Sequence, residues 1–171
     1  LFFAVSGFLI TSLLLHERRS SGRIALGRFW VRRSLRIFPL YYLVLGAFTL
    51  HALFLRAPGA PRDHFLANLP FYATYTSNWF VHGVVDHPIV FSFAWSLATE
   101  EQFYLLWPPV LRWLRGTLGP ALVMLALVTL DQAAERGWLA PILDEGLAAR
   151  MVRSFATPIG LGALLALAVD S

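Results

Sequence analysis

Apolar residues fall into five runs along the chain, and polar or charged segments separate these runs. A helix that crosses a membrane needs about 20 mainly apolar residues. The chain is therefore predicted to be all-α: a polytopic helical membrane protein with about five transmembrane helices. The five predicted spans are Leu1–Leu15, Ile37–Leu55, Ile89–Leu111, Leu118–Leu130 and Phe155–Val169. The first and last are short and run close to the chain ends, so residues 1–171 are expected to be one partial membrane domain, truncated at both ends.

The segments between the runs are predicted from their turn residues and charges. His16–Leu35 is expected to be an arginine-rich loop, and Pro39 is expected in the first turn of the second span, where a missing N–H does no harm. A long connection from Arg56 to Pro88 opens with a Pro/Gly turn. It carries aromatic residues that suit a membrane-interface belt or a shallow helix: Phe71, Tyr72, Tyr75, Trp79 and Phe80. Asp131–Arg153 is expected to be irregular.

The composition supports a membrane class. Hydrophobic residues make up 57% and charged residues 14% of the chain, against roughly 45–50% and about 25% in soluble domains. Seven of the 14 cationic residues, all of them arginine, lie between Arg18 and Arg36. This clustering between two apolar runs is typical of a cytoplasmic loop and argues against a nucleic-acid partner. We expect a multi-pass protein of the inner (plasma) membrane, with the lipid bilayer as partner and the Arg18–Arg36 loop in the cytoplasm.

An acidic pair interrupts the third apolar run. Glu100 and Glu101 lie between Trp95 and Pro108, and a carboxylate inside a membrane helix costs about 3 kcal/mol, so it usually has a function. Helical spacing places Ser96 and Tyr104 on the face of Glu100, with the arginines near Arg36 as candidate cations, and it points Glu101 elsewhere. We therefore predict Glu100 as a site residue in a supporting role, lined by Trp95, Ser96 and Tyr104. The alternative is a solvated pair at the membrane surface.

Three arginines form a second candidate site. Arg32 and Arg36 are four residues apart and Arg33 and Arg36 are three apart, so a helix would place them on one face. A guanidinium fork suits a phosphate group, and an anionic cofactor presented from the cytoplasm, such as a nucleotide-bearing thioester, would fit. The alternative is that these arginines only anchor a loop against anionic lipid headgroups.

No metal site is predicted. The five histidines are His16, His51, His64, His82 and His87, and none has a partner at metal-ligand spacing. The chain also contains no cysteine, which excludes disulfides and thiolate ligands.

Taken together and in order, three motifs resemble the integral-membrane acyltransferase-3 family. They are Leu1–Thr11 (LFFAVSGFLIT), Arg33–Tyr41 (RSLRIFPLY) and Trp95–Pro108 (WSLATEEQFYLLWP). The resemblance implies a bundle of about ten helices that transfers an acyl group, usually acetyl from acetyl-CoA, to a hydroxyl of a sugar or related acceptor. It maps acyl-CoA use onto Arg33 and Arg36, and the conserved acid onto Glu100. The family's histidine base would precede Leu1, so the fragment alone is expected to be inactive.

The resemblance favours a membrane-bound O-acyltransferase with an acyl-CoA co-substrate, a carbohydrate or other hydroxyl acceptor, and no tightly bound cofactor. Two alternatives remain at this point. A non-catalytic transporter or flippase of a lipid-linked glycan would use the same acid and basic mouth, and a membrane scaffold would need neither.

Overall fold

The computed structural model of the chain is helical, as the sequence predicts. It describes residues 1–81, 91, 93–114, 116–139, 150–151 and 157–171, and no strand occurs within these ranges. The all-α fold class is therefore confirmed. The helices are α1 Phe2–Ser21, α2 Leu26–Leu50, α3 Ala60–Ala67, α4 Leu69–Ala73, α5 Ser77–Phe80, α6 Ala94–Trp113, α7 Leu118–Glu135 and α8 Thr157–Asp170. One wider π-type turn, His51–Leu55, extends α2.

Each of the five predicted spans falls largely within one helix, namely α1, α2 with its π-type turn, α6, α7 and α8, although Ile89, Val90, Ser92, Phe155 and Ala156 lie outside the described residues. By length and apolar composition, two helices of the described chain could cross a membrane: Leu26–Leu55 and Leu118–Glu135. Helix α8 is apolar but has only 14 residues.

The predicted arginine-rich loop is wrong over most of its length. Helix α1 continues to Ser21 and ends at Gly22, whose φ of 72° is the left-handed conformation that glycine adopts at helix ends. Helix α2 begins at Leu26, so the arginines from Arg28 onward are helical. Pro39 is consequently inside α2 and not in its first turn, and the Leu35 carbonyl loses its usual helical donor.

The chain divides into two compact units: Leu1–Leu26 with Gln102–Ser171, and Gly27–Glu101. In the first unit, α1 and α8 meet at glycines. A Cβ on Gly7 would lie 2.0 Å from the Ile159 carbonyl oxygen, and one on Gly162 would lie 1.9 Å from that of Ala4. Only hydrogen in place of a side chain allows so close a backbone approach.

Two arginines make polar contacts at the C-terminal end of α1 in this first unit. Arg18 donates to the carbonyls of Leu111 and Gly116, both at 3.2 Å, and so caps the C-terminal end of α6. Arg19 forms an ion pair with Asp170 at 2.7 Å. Because Arg19 lies in the last turn of α1 and Asp170 is the last residue of α8, these two helices run in the same direction.

The second unit has an aromatic core. Tyr41 and Tyr72 are buried within it, together with Phe65, Tyr75 and Phe91. The predicted aromatic belt is therefore wrong for Tyr72 and Tyr75, which lie in or just after a short helix but pack inward. The helical alternative is met by three short helices, α3 to α5, and their shallow position in the membrane stays a prediction. The buried rings of this segment form one cluster with Tyr41 and Leu45 of α2.

Candidate functional site

The acidic pair of α6 lies against an arginine of α2 within the second unit. Arg33 Nη2 lies 4.0 Å from Glu100 Oε2, and Arg33 Nε lies 3.9 Å from Glu101 Oε1. These distances are those of an ion pair and not of short hydrogen bonds. The Glu100 side chain is 4% exposed and that of Arg33 is 19% exposed. One guanidinium thus faces two carboxylates, in a site that little water reaches.

The expectation that Glu101 points away from the site is wrong. Successive helical residues are about 100° apart, but both glutamate side chains are long enough to reach one planar guanidinium. Glu101 is also largely buried, with 14% of its side chain exposed. Helical spacing alone could not reveal this, because it ignores where a side chain from another helix lies.

The three arginines of the second predicted site do not act alike. Arg32 and Arg36 are exposed on α2, whereas Arg33 is mostly buried and faces the carboxylates. Further along the same helix, Leu40 and Leu43 have exposed side chains. The exposed surface of α2 carries both arginine and apolar side chains before Pro39, since Val31 and Leu35 are exposed as well, and it carries no arginine from Leu40 to Leu50.

The predicted lining residues are placed differently from one another. Ser96 donates its hydroxyl to the Phe93 carbonyl at 2.9 Å, and the Trp95 side chain is 52% exposed. Tyr104 follows Glu100 by one turn of α6 and is hydrogen-bonded to Ser6 of α1. One turn further, the Trp107 indole donates to Thr11 at 2.8 Å. These two polar contacts join α1 and α6 within the first unit.

A turn of the second unit adds residues that the sequence did not identify as part of a site. Helix α4 ends at Ala73, and Tyr75 follows with φ 55°, in the left-handed region. The Tyr41 hydroxyl donates to the Tyr72 carbonyl at 2.7 Å, and Tyr42 donates to that of Ala73 at 2.9 Å. Two α2 tyrosines thereby hold the end of α4. No glycine or asparagine occupies position 75, so the usual sequence signal for this conformation is missing.

A buried polar cluster joins α7 and α8 in the first unit. Asp131 is 3% exposed, and Thr157 donates to its Oδ2 atom. Gln132 in turn donates to the Thr157 hydroxyl at 3.0 Å. Because Thr157 begins α8, this cluster secures the start of that helix.

Within the described ranges, no group of three or more His, Asp or Glu side chains could hold a metal ion. His82 and His87 lie outside the described residues, and His51 occupies the π-type turn that extends α2.

Comparison with known proteins identifies the family to which this helical chain belongs. The model of the acyltransferase-3 family, an acyltransferase domain, matches residues 1–130. The chain therefore belongs to this family of transferases.

Two bacterial relatives carry O-acetyltransferase names. The peptidoglycan O-acetyltransferase OatA of Listeria monocytogenes is 32% identical over 138 residues, covering 76% of this chain and 22% of the relative. The O-acetyltransferase OatA of Staphylococcus aureus is 37% identical over 130 residues, covering 70% and 20%. The chain thus spans about a fifth of the length of these relatives. No solved structure matches it.

Proposed function

We propose that the chain forms part of a membrane-bound O-acyltransferase, which moves an acyl group, most simply acetyl, from acyl-CoA to a hydroxyl of a carbohydrate or related acceptor. The observation that carries the proposal is the buried cluster of Arg33, Glu100 and Glu101, which lies inside the region matched by the acyltransferase family. The O-acetyltransferase names of the two relatives support the same reaction type.

On the donor side, Arg36 and Arg32 bind the phosphates of acyl-CoA. Both are exposed on α2, and a guanidinium can bind a phosphate through two parallel hydrogen bonds. Arg33, also assigned to the donor on sequence grounds, has a second role here because it holds the carboxylates. The donor arginines belong on the cytoplasmic side, where acyl-CoA is available, in a multi-pass inner-membrane protein.

On the acceptor side, a hydroxyl is a weak nucleophile and needs a base and a fixed orientation. Glu100 provides the orientation by accepting a hydrogen bond, either from the acceptor or from an active-site group. Arg33 keeps the carboxylate in place and offsets part of its charge. The family's histidine is the base that we propose for this step.

The test uses the full-length protein in membranes, with labelled acetyl-CoA, and follows label into a carbohydrate acceptor. Arg36→Ala is expected to abolish transfer while membrane insertion persists. Arg56→Ala is the matched control, since Arg56 is also exposed but follows the π-type turn that extends α2, about 30 Å from Arg36 along the helix axis. Glu100→Gln is expected to lower kcat at least about 100-fold, the scale on which a positioned electrostatic group acts.

Exposed Glu135 provides the control for loss of a carboxylate, and Glu135→Gln is expected to leave transfer unchanged. Normal transfer by Arg36→Ala would contradict the donor assignment. If the protein consumes no acyl-CoA but moves a lipid-linked glycan across the membrane, the transporter alternative is correct. Unchanged function in Glu100→Gln would favour a scaffold.

A further inference from the structure

Tyr75 occupies a backbone position that rarely holds a bulky residue. Among the described residues it is the only non-glycine with positive φ, at 55°. The amide of Thr76 bonds the Phe71 carbonyl at 3.0 Å, and that of Tyr75 bonds the Tyr72 carbonyl at 3.3 Å. This is the pair of bonds that defines a Schellman motif, in which the left-handed residue is usually glycine. A tyrosine there indicates that its side chain is needed.

The ring of Tyr75 is buried against α2. Its centroid lies 4.4 Å from that of Tyr41 and 5.4 Å from that of Phe38, both in stacked geometry, and the Tyr75 residue is only 8% exposed. Tyr42 meets it edge-on at 6.2 Å. Three aromatic side chains within five residues of one helix therefore contact this ring, and they fix where α2 lies relative to the turn.

The charge of one member of the acidic pair, Glu101 of α6, acts on the same tyrosine. Burial, chiefly, and then the neighbouring Tyr41 and the charge of Glu101 raise the pKa of the Tyr75 phenol above its ordinary value. Tyr75 therefore touches α2 through its ring and senses Glu101 electrostatically. Arg33 of α2 and Glu101 of α6 are the groups that meet in the candidate site.

We propose that Tyr75 is a positioning residue: its ring, held in the strained turn after α4, fixes α2 so that Arg33 remains against Glu100 and Glu101. The turn accepts an unfavourable backbone conformation because a glycine there would leave α2 without this contact. The proposal rests on the proposed acyl transfer only for its activity readout. A purely structural helix cap makes the opposite prediction, since glycine and asparagine suit that backbone position better.

Three variants of the full-length protein separate these roles. Tyr75→Phe keeps the ring, and it is expected to stay within about threefold of wild-type kcat/KM. Tyr75→Gly and Tyr75→Asn keep the left-handed turn but lose the aromatic ring, and they are expected to lower kcat at least about tenfold with a smaller change in KM. Asparagine serves as the second variant if the glycine protein does not fold.

A double variant adds the decisive measurement. If Tyr75 acts through Arg33, the variant combining Tyr75→Gly or Tyr75→Asn with Arg33→Gln is no slower than Arg33→Gln alone. Losses that multiply, full activity in the Gly or Asn variant, or an equal loss in Tyr75→Phe would overturn the proposal.

A readout that does not depend on catalysis comes from the melting temperatures of four proteins. They are wild type, the Tyr75→Gly or Tyr75→Asn variant, Arg33→Gln and the corresponding double variant. Coupled shifts for Tyr75 and Arg33 support the positioning role, and additive shifts contradict it. If wild-type protein transfers no acyl group, the proposed function fails, and these melting temperatures alone decide the role of Tyr75.

Discussion

Replacing Gly162 by alanine tests the close backbone approach of α1 and α8. The new Cβ would lie 1.9 Å from the Ala4 carbonyl oxygen and 2.9 Å from the Phe8 nitrogen. A carbon and a carbonyl oxygen approach to about 3.3 Å at the least in ordinary packing. The two helices would therefore have to separate by about 1.4 Å at this point. Both obstructing atoms belong to the backbone of α1, so no side-chain rotation can relieve the overlap.

The expected cost follows from this geometry. Overpacking a tight interior costs about 1–3 kcal/mol, and sometimes more, and a backbone obstacle places Gly162→Ala at the upper end, near 3 kcal/mol. Each kcal/mol lowers the melting temperature by roughly 2–4 °C in a domain of 150–250 residues. A decrease of roughly 6–12 °C is therefore expected for detergent-purified protein, followed by thermal unfolding.

Gly46→Ala is the matched control in α2. No atom lies within 4 Å of a Cβ at that position, and alanine is favoured over glycine inside a helix by up to about 1 kcal/mol. Its melting temperature is expected to stay level or rise. If Gly162→Ala melts within 2 °C of wild type, the close approach of α1 and α8 and the reasoning built on it are refuted.

Three more perturbations test separate contacts. Arg18→Ala removes a donor from the end of α6 and is expected to cost about 1–3 kcal/mol of stability; exposed Arg23→Ala is the control, and equal melting temperatures for the two would contradict the capping role. Trp107→Phe and Thr11→Val each break the indole–hydroxyl bond. A double-mutant cycle on the free energy of unfolding is expected to give a coupling of about 1 kcal/mol, and purely additive losses of stability would exclude the bond. Asp131→Ala removes the buried acceptor of Thr157 and should destabilise by about 1–3 kcal/mol, whereas Glu135→Ala, on the exposed end of α7, should not; equal effects would show that burial of Asp131 does not matter.

The apolar runs predicted which segments become long helices, because about 20 apolar residues are a local property of the sequence. The ends of these helices were less predictable. The segment from Arg28 to Leu35 is predicted as a loop because it is rich in arginine. Arginine is nevertheless a good helix former, and Arg28 and Arg32 take exposed positions on α2. The motifs also gave the family, which the match over residues 1–130 confirms.

The candidate site, too, could be predicted from the sequence only in part. Glu100 stood out in the sequence because a carboxylate in an apolar helix is costly, and an arginine partner near Arg36 was foreseen as a cation. The choice of Arg33, and the inclusion of Glu101, required the placement of α2 beside α6. The role of Arg33 in binding the acyl donor stays a prediction, as do the donor roles of Arg32 and Arg36.

The sequence by itself determined the helical class, the family and the acidic pair, since each depends on residues close together in the chain. Tertiary structure decided which arginine faces the carboxylates, which glycines allow backbones to touch, and which aromatic side chains meet Tyr75 in its left-handed turn. These contacts join residues such as Arg33 and Glu101, or Ala4 and Gly162, that are far apart in sequence. No local pattern encodes the distance between them, because that distance depends on how separate helices pack.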